Sequence, residues 1–496
     1  KGIMYDRRSL KNMVKNATSL PVGRHGLPAG RHGPVKRTVH FIGVGGIGMS
    51  ALARWFLAQK WAVSGSDITL SNLTQALQKE GVKVKIGHKK AYVSPEMGLL
   101  VYNQAIPASN PELREARRRG IPVLTYPEAL GVLSREYKTI AVSGAHGKST
   151  TTAFLSLVLT RAGFDPTVIL GTLFREFAGK NFRAGKSEYL VIEADEWKAS
   201  FLNYSPTYAI ITNIDREHLD FYKNYSNVKK TFLKFISNIR EDGVLIANRD
   251  DKNLFALKRH IEKIAKRKNF RVIWYGAIIN YSAYRKIRTF LEVPGKHNVS
   301  NALAVYVLAR ALGIKEEVIL KALGRYRGAW RRMEYRGKLR IANSKSPLAI
   351  SPVPVYDDYA HHPTEIKASL QAFREKFPKK EIICVFQPHQ AHRTKNLFKE
   401  FISAFDLADY LILLPIYQVA GRDKSHKGYT SADLAKAIAR SKNYKLKAKN
   451  SVSYLPSPKK LKSLLNSRFY FLDSAVVIMM GAGDIVNYTS LLIRGR

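Results

Sequence analysis

Two glycine turns carry the residues best suited to do chemistry. Gly144-Ala145-His146-Gly147-Lys148-Ser149-Thr150 follows the strand-like run Thr139–Ser143 and opens a long helical pattern. It is a phosphate loop two residues shorter than the common G-x-x-x-x-G-K-[ST] form. Such a loop surrounds phosphates with backbone N–H groups, brings a lysine to the terminal phosphate and offers a hydroxyl to Mg²⁺. Lys148 and Ser149 are the residues for the last two tasks. Gly144, His146, Gly147 and Thr150 complete the cradle. ATP and Mg²⁺ are the ligands this turn predicts.

The other turn is Gly43-Val44-Gly45-Gly46-Ile47-Gly48, between a strand pattern and a helix pattern, with Asp67 19 residues beyond Gly48. This is the G-x-G-x-x-G fingerprint: glycines admit a diphosphate close to the backbone, and the helix N-terminus presents unpaired N–H groups. Gly43, Gly45, Gly46, Ile47, Gly48 and Asp67 are thus candidates for binding a nucleotide diphosphate. An NAD-dependent oxidoreductase is one alternative, but hydride transfer has no use for a triphosphate loop. Two phosphate sites in adjacent units point to ATP plus a second, nucleotide-linked substrate.

The elements that position these turns follow from hydrophobic periodicity. Strand-like runs alternate with amphipathic helical stretches from Thr38 onward, which predicts an α/β chain with parallel sheets and crossover helices. The pattern starts afresh near Thr139 and again near Val353. Three domains are expected: a Rossmann-like N-terminal domain over 38–137, a central P-loop ATPase-like domain over 138–326, and a Rossmann-like C-terminal domain over 327–496. Residues 1–37 are basic, lack apolar periodicity and read as a disordered leader.

Composition narrows the class. The chain has 496 residues and 45% hydrophobic content, enough to bury several cores. Its one cysteine, Cys384, sits in the apolar run Ile382–Phe386, which excludes a disulfide framework and reads as a buried strand position. A net charge of +44 favours anionic ligands and raises a nucleic-acid-binding protein as a second alternative. The basic residues are spread along the chain without a nucleic-acid signature, so no specific nucleic acid is expected. No apolar stretch reaches the 18 or so residues of a membrane span, and no export signal opens the chain. A cytoplasmic protein, monomer or homodimer, without a membrane partner, is the expectation.

Further motifs complete a resemblance. With the two glycine turns, Glu193-Ala194-Asp195-Glu196, Asn213 to Asp220, Gly295-Lys296-His297-Asn298, Asp357 to Pro363 and Gln387-Pro388-His389 resemble the Mur ligases from Thr38 to the C-terminus. Within that family the chain is most similar to the members that join L-alanine to UDP-N-acetylmuramate. The resemblance implies ATP-dependent amide formation through an acyl phosphate in peptidoglycan synthesis. A carboxylate is a poor acceptor for an amine, and phosphorylation supplies the leaving group. A murein-recycling ligase that adds a whole tripeptide to the same sugar nucleotide is the alternative within the family.

The resemblance also implies residue roles. Ser149, Glu193 and His218 would serve metal ions; hydroxyl and carboxylate oxygens suit Mg²⁺, and one imidazole is tolerable. By itself His218 reads as a surface or helix-cap histidine. Spacing in this motif holds, although the local run is Asp215-Arg216-Glu217. His297, Asn298 and Asn301 would meet the adenine, the asparagines standing three apart on one helix face, though helix capping also favours Asn. Arg332 and Asp358 would reach the ATP phosphate and ribose, and Tyr359 the substrate. His361 or His362 could take the proton from the alanine amine, and Arg393 could pair with a carboxylate or phosphate.

Overall fold

In the computed structural model the described residues are 37–339, 352–418, 429–441, 451–468 and 474–493. The expected leader therefore lies outside the described residues except for Arg37. The described residues divide into two compact units, 37–287 with 301–323, and 288–300 with 324–493. The first unit contains two sheets and the second contains one.

The first sheet consists of β1 (Thr38–Ile42), β2 (Ala62–Asp67), β3 (Lys83–Ile86), β4 (Leu99–Tyr102) and β5 (Val123–Thr125) in the order β3-β2-β1-β4-β5. All its neighbours are parallel. Val39, Phe41 and Ile42 are buried, as a strand covered by helices on both faces requires. Chain order reverses between β1 and β4, so the crevice at their carboxyl ends is the place where such sheets bind ligands.

The second sheet holds β6 (Lys138–Ser143), β7 (Thr167–Phe174), β8 (Lys180–Arg183), β9 (Tyr189–Glu193), β10 (Tyr208–Ile211), β11 (Val244–Asn248) and β12 (Arg271–Tyr275). Its order is β12-β11-β10-β6-β9-β7-β8, with only the β7–β8 pair antiparallel. Strand β6 is flanked by β9 and β10, so the segments leaving all three converge at one edge. The helix Lys148–Arg161 that follows β6 is buried from Ser149 to Leu159, which marks an interior helix.

The second unit carries β13 (Glu334–Leu339), β14 (Val353–Asp358), β15 (Glu381–Phe386), β16 (Tyr410–Leu413), β17 (Val452–Tyr454) and β18 (Ala475–Met480). The order is β13-β14-β18-β15-β16-β17, and β13 alone runs antiparallel to its neighbour. Cys384 is fully buried in β15, and burial pushes its thiol up, away from reactivity.

Candidate active site

The phosphate loop is shaped by two residues that must lack a side chain. Gly144 (φ 141°) and Gly147 (φ 85°) occupy backbone conformations that disfavour L side chains. A Cβ on Gly144 would lie 2.1 Å from Thr212 Oγ1, and one on Gly147 would lie 2.6 Å from Asn301 Oδ1. Residues leaving β10 clamp the loop from the other side. The His146 N–H donates to Asn213 Oδ1 at 2.8 Å, and Thr212 Oγ1 donates to the His146 carbonyl at 2.6 Å. His146 Nε2 lies 3.0 Å from Asp215 Oδ2.

Lys148 opens the helix and curls back over the loop, its ammonium donating to the Gly144 carbonyl at 2.7 Å and to Glu196 Oε2 at 2.8 Å. Burial opposes the charge, but Glu196, Asp195 and Glu193 outweigh it and hold Lys148 above its ordinary pKa, fully protonated. Ser149 Oγ donates to Glu193 Oε2 at 2.9 Å, while the Gly171 N–H of β7 donates to Glu193 Oε1 at 2.6 Å. Neighbouring strands thus aim a hydroxyl and a carboxylate at one point. Thr150 is buried in the first turn of the helix.

A second group of potential ligands lies beside the first. Asp195, Glu196 and His218 present one ligand atom each, all within 4.8 Å of one another. Glu196 Oε1 is buried without a hydrogen-bond partner, with the His218 Nε2 at 3.8 Å as its ion-pair neighbour. An orphaned carboxylate oxygen facing an imidazole, with Asp195 alongside, fits a divalent cation. Ser149 and Glu193 supply hard oxygen donors of the kind Mg²⁺ takes. The sequence reading selected Glu193 and His218 but missed Glu196 and Asp195. Its signal was present in the Glu193–Glu196 run, yet only the strand order shows that Glu196 meets Lys148.

The first glycine turn lies at the carboxyl end of β1. Gly43 (φ 80°) and Val44 both donate to the Ser66 carbonyl, and the Gly45 N–H donates to Asp67 Oδ2 at 2.8 Å. Asp67 therefore fixes the turn itself. A Cβ on Gly46 would come within 3.4 Å of Asn103 Nδ2, and one on Gly48 within 2.8 Å of the Tyr126 ring. Tyr126 in turn feels Glu193 and Asp195: burial first, then those carboxylates, push its hydroxyl up. The first glycine turn and the phosphate loop thus share one neighbourhood. The Ile47 carbonyl accepts from Asn181 Nδ2 at 2.5 Å, a tie between the helix of the turn and β8.

Beneath this turn lies a polar cluster that sequence reasoning did not find. Glu112 is fully buried and bonded to His40 Nε2 at 2.7 Å, to Ser66 Oγ at 2.8 Å and to His88 Nδ1 at 2.8 Å. Burial raises its pKa, but these partners together keep the carboxyl below its ordinary value. Ser66 connects the cluster to the turn through its carbonyl. Four residues scattered from 40 to 112 left no local pattern to read.

At the helix Lys296–Ala311 the two asparagines differ. Asn301 packs against Gly147, whereas Asn298 Nδ2 donates to the Pro294 carbonyl at 2.7 Å and so secures the helix entry. Burial pushes the neighbouring His297 imidazolium down to about 4, leaving the ring neutral.

In the second unit, Asp358 ends β14 and accepts from the Met333 and Ala360 N–H groups, both at 3.0 Å. The Arg332 and Arg331 guanidiniums stand 4.7 and 5.1 Å from the Tyr359 ring centroid. His361 Nδ1 lies 3.0 Å from the Tyr359 carbonyl and 3.1 Å from Glu365 Oε2, which leaves Nε2 as the nitrogen free of that pairing. The outcome for His362 is different: its Nδ1 accepts from the Thr364 N–H at 3.3 Å and caps the helix Pro363–Lys376. Arg393 reaches His389, whose ring stacks on Tyr417 at 5.5 Å and meets His361 at 5.8 Å. The structure therefore brings Arg332, Tyr359, His361 and Arg393 into one chain of contacts.

Known proteins resemble this chain along most of its length. Residues 38–138 match the Mur ligase family catalytic domain, 142–309 the Mur ligase middle domain, and 331–483 the Mur ligase glutamate ligase domain. The chain is 39% identical over 417 residues to UDP-N-acetylmuramate–L-alanine ligase of Aquifex aeolicus (strain VF5), covering 80% of this chain and 87% of that one. It is 38% identical over 475 residues to the protein of the same name in Clostridium novyi (strain NT), covering 93% and 98%. Among solved structures, UDP-N-acetylmuramate-alanine ligase MurC from Thermotoga maritima superimposes with a TM-score of 0.69 at 26% identity, covering 92% and 98%. A murein peptide ligase from Psychrobacter arcticus 273-4 shares the fold with a TM-score of 0.63 at 21% identity, covering 92% and 98%.

Proposed function

The chain belongs to the Mur ligase family, and from that membership we infer that it is the ATP-dependent ligase joining L-alanine to UDP-N-acetylmuramate in peptidoglycan synthesis. The observation that carries the reading is the convergence of Lys148, Ser149 and Glu193 beside the Gly43–Gly48 turn. That arrangement suits a triphosphate and a sugar nucleotide held side by side. The positive charge of the chain serves polyphosphate substrates.

The residue roles follow from chemistry. Bound ATP with Mg²⁺ supplies the phosphoryl group that converts the lactyl carboxylate into a reactive acyl phosphate. Gly144, Gly147 and their amides hold the phosphates, and Lys148 exchanges its carbonyl and carboxylate partners for a phosphate oxygen. Ser149 and Glu193 are the residues for one Mg²⁺. His218 with Glu196 and Asp195 suits a second. Fixed cations and donors aimed at developing charge stabilise the transfer without reorganising at the moment of reaction.

Gly43, Gly45, Gly46, Ile47 and Gly48 hold the diphosphate of the sugar nucleotide, with Asp67 as the brace of that turn. Asn301 is assigned to the nucleotide side of the loop, with Asn298 and His297 shaping the helix that presents it. Arg332 and Asp358 are assigned to ATP, Tyr359 to substrate, and Arg393 to the alanine carboxylate. His361, oriented by Glu365, is the base for the alanine amine, while His362 is kept as a cap that fixes the position of its neighbour.

The test is purified protein with UDP-N-acetylmuramate, ATP and Mg²⁺, offered L-alanine, glycine, L-serine or the murein tripeptide in separate reactions. ADP release and the mass of a new amide with L-alanine are expected. A product formed only with the tripeptide would replace this reading by the recycling one.

A further inference from the structure

Between the phosphate loop and the first glycine turn lies a strained segment. Lys198 (φ 50°, ψ 29°) and Ala199 (φ 57°, ψ 29°) are consecutive non-glycine residues in the left-handed region. Such conformations are costly and persist where the surroundings over-determine them, most often at functional sites. Here the surroundings are specific. The Ala199 N–H donates to the Glu196 carbonyl at 2.9 Å, Lys198 Nζ donates to the Gln104 carbonyl at 3.2 Å, and Ser200 Oγ donates to Gln104 Oε1 at 2.8 Å. Lys198 also lies over the Trp197 ring at 4.8 Å.

Both ends of this bridge reach a ligand site. Glu196 holds Lys148. Gln104 follows Asn103, whose side chain packs within 3.4 Å of the Cβ positions of Gly43 and Gly46. The strained turn thus spans from the partner of the phosphate-loop lysine to the loop at the carboxyl end of β4, beside the diphosphate turn. A substrate whose diphosphate sits on Gly43–Gly48 and whose acid must meet a γ-phosphate has to cross this interval. The exposed ammonium of Lys198, held on the Gln104 carbonyl, is a cation on this interval.

Resting on the ligase reading above, we propose that Lys198 is a specificity-determining residue that binds the lactyl carboxylate of the sugar nucleotide. The strained backbone at 198 and 199 serves to aim that ammonium. Lys198 then exchanges the Gln104 carbonyl for the carboxylate when substrate is bound.

Calorimetric binding to the full chain tests this without requiring turnover. The probes are UDP-N-acetylmuramate, UDP-N-acetylglucosamine (the same nucleotide sugar without the lactyl acid) and ATP with Mg²⁺. The key variant is Lys198→Gly, because glycine suits the left-handed backbone and keeps the fold; its melting temperature should equal or exceed that of the parent. Affinity for UDP-N-acetylmuramate should fall about tenfold or more on loss of a charge-assisted hydrogen bond. Affinity for UDP-N-acetylglucosamine and ATP should stay within about twofold on the same scale, and Lys198→Arg should retain most of the binding. Equal binding of UDP-N-acetylmuramate by parent and Lys198→Gly overturns the proposal. So does an equal loss for both sugars, which would make Lys198 a diphosphate contact. A parent protein that binds UDP-N-acetylmuramate yet forms no amide counts against the ligase reading alone, and the Lys198 comparison still decides.

Discussion

Lys148 Nζ and Glu196 Oε2 lie 2.8 Å apart although 48 residues separate them in the chain. The pair keeps a half-buried cation neutralised, and in the proposed mechanism a phosphate replaces one anion by another. Truncating the lysine removes the donor and leaves Glu196 buried without its partner. Lys148→Ala should lower kcat by on the order of 10², the scale of losing one transition-state donor. Alanine-dependent phosphate release measures it, and a near-normal rate would remove Lys148 from the mechanism.

The loop glycines set a steric test. Gly144→Ala places a methyl group 2.1 Å from Thr212 Oγ1 at a φ of 141°. Strain of this kind costs roughly 1–3 kcal/mol, and the loop would shift to relieve it. Thermal stabilisation by ATP with Mg²⁺, which reports binding to the native state, should largely disappear in this variant. Full retention of the shift would show that the cradle tolerates a side chain.

Glu193 lies between the Ser149 hydroxyl at 2.9 Å and the Gly171 amide at 2.6 Å. Glu193→Gln preserves the shape and removes the charge. The Mg²⁺ concentration needed for half-maximal activity should rise about tenfold or more, since a hard cation loses an anionic oxygen. An unchanged Mg²⁺ titration would assign the metal elsewhere.

His297 provides a pH test. Its imidazolium is pushed down to about 4 from 6.5 by burial, so between those values the folded chain binds fewer protons than the unfolded chain. The stability gained by keeping the ring neutral is present above pH 6.5 and lost as the pH falls towards 4. His297→Gln removes this titration and should move the acid-unfolding midpoint to lower pH, by circular dichroism, through about 2 kcal/mol of relative stability at pH 5. A midpoint that stays in place would mean that the ring titrates without cost.

Much of this protein could be read from its sequence where the determinant was local. Both glycine turns, the strands before them and the helices after them follow from periodicity and from backbone positions that only glycine fills, as at Gly144 and Gly147. Glu193 was legible through its motif, because the run Glu193–Glu196 resembles that of the Mur ligases. The partners of these residues were not legible. Ser149 meets Glu193 because β9 lies beside β6, Lys198 meets Gln104 across two sheets, and Glu112 gathers His40, Ser66 and His88 beneath a turn. His362 resembled its neighbour His361 in the sequence, yet one caps a helix and the other faces Glu365 and His389. Where the backbone can bend and approach a phosphate is written locally in the chain, since that depends on a residue and its immediate neighbours. Which charges face one another emerges with the folded arrangement, because strand order and crossover connections set those distances and leave no periodic trace in the chain.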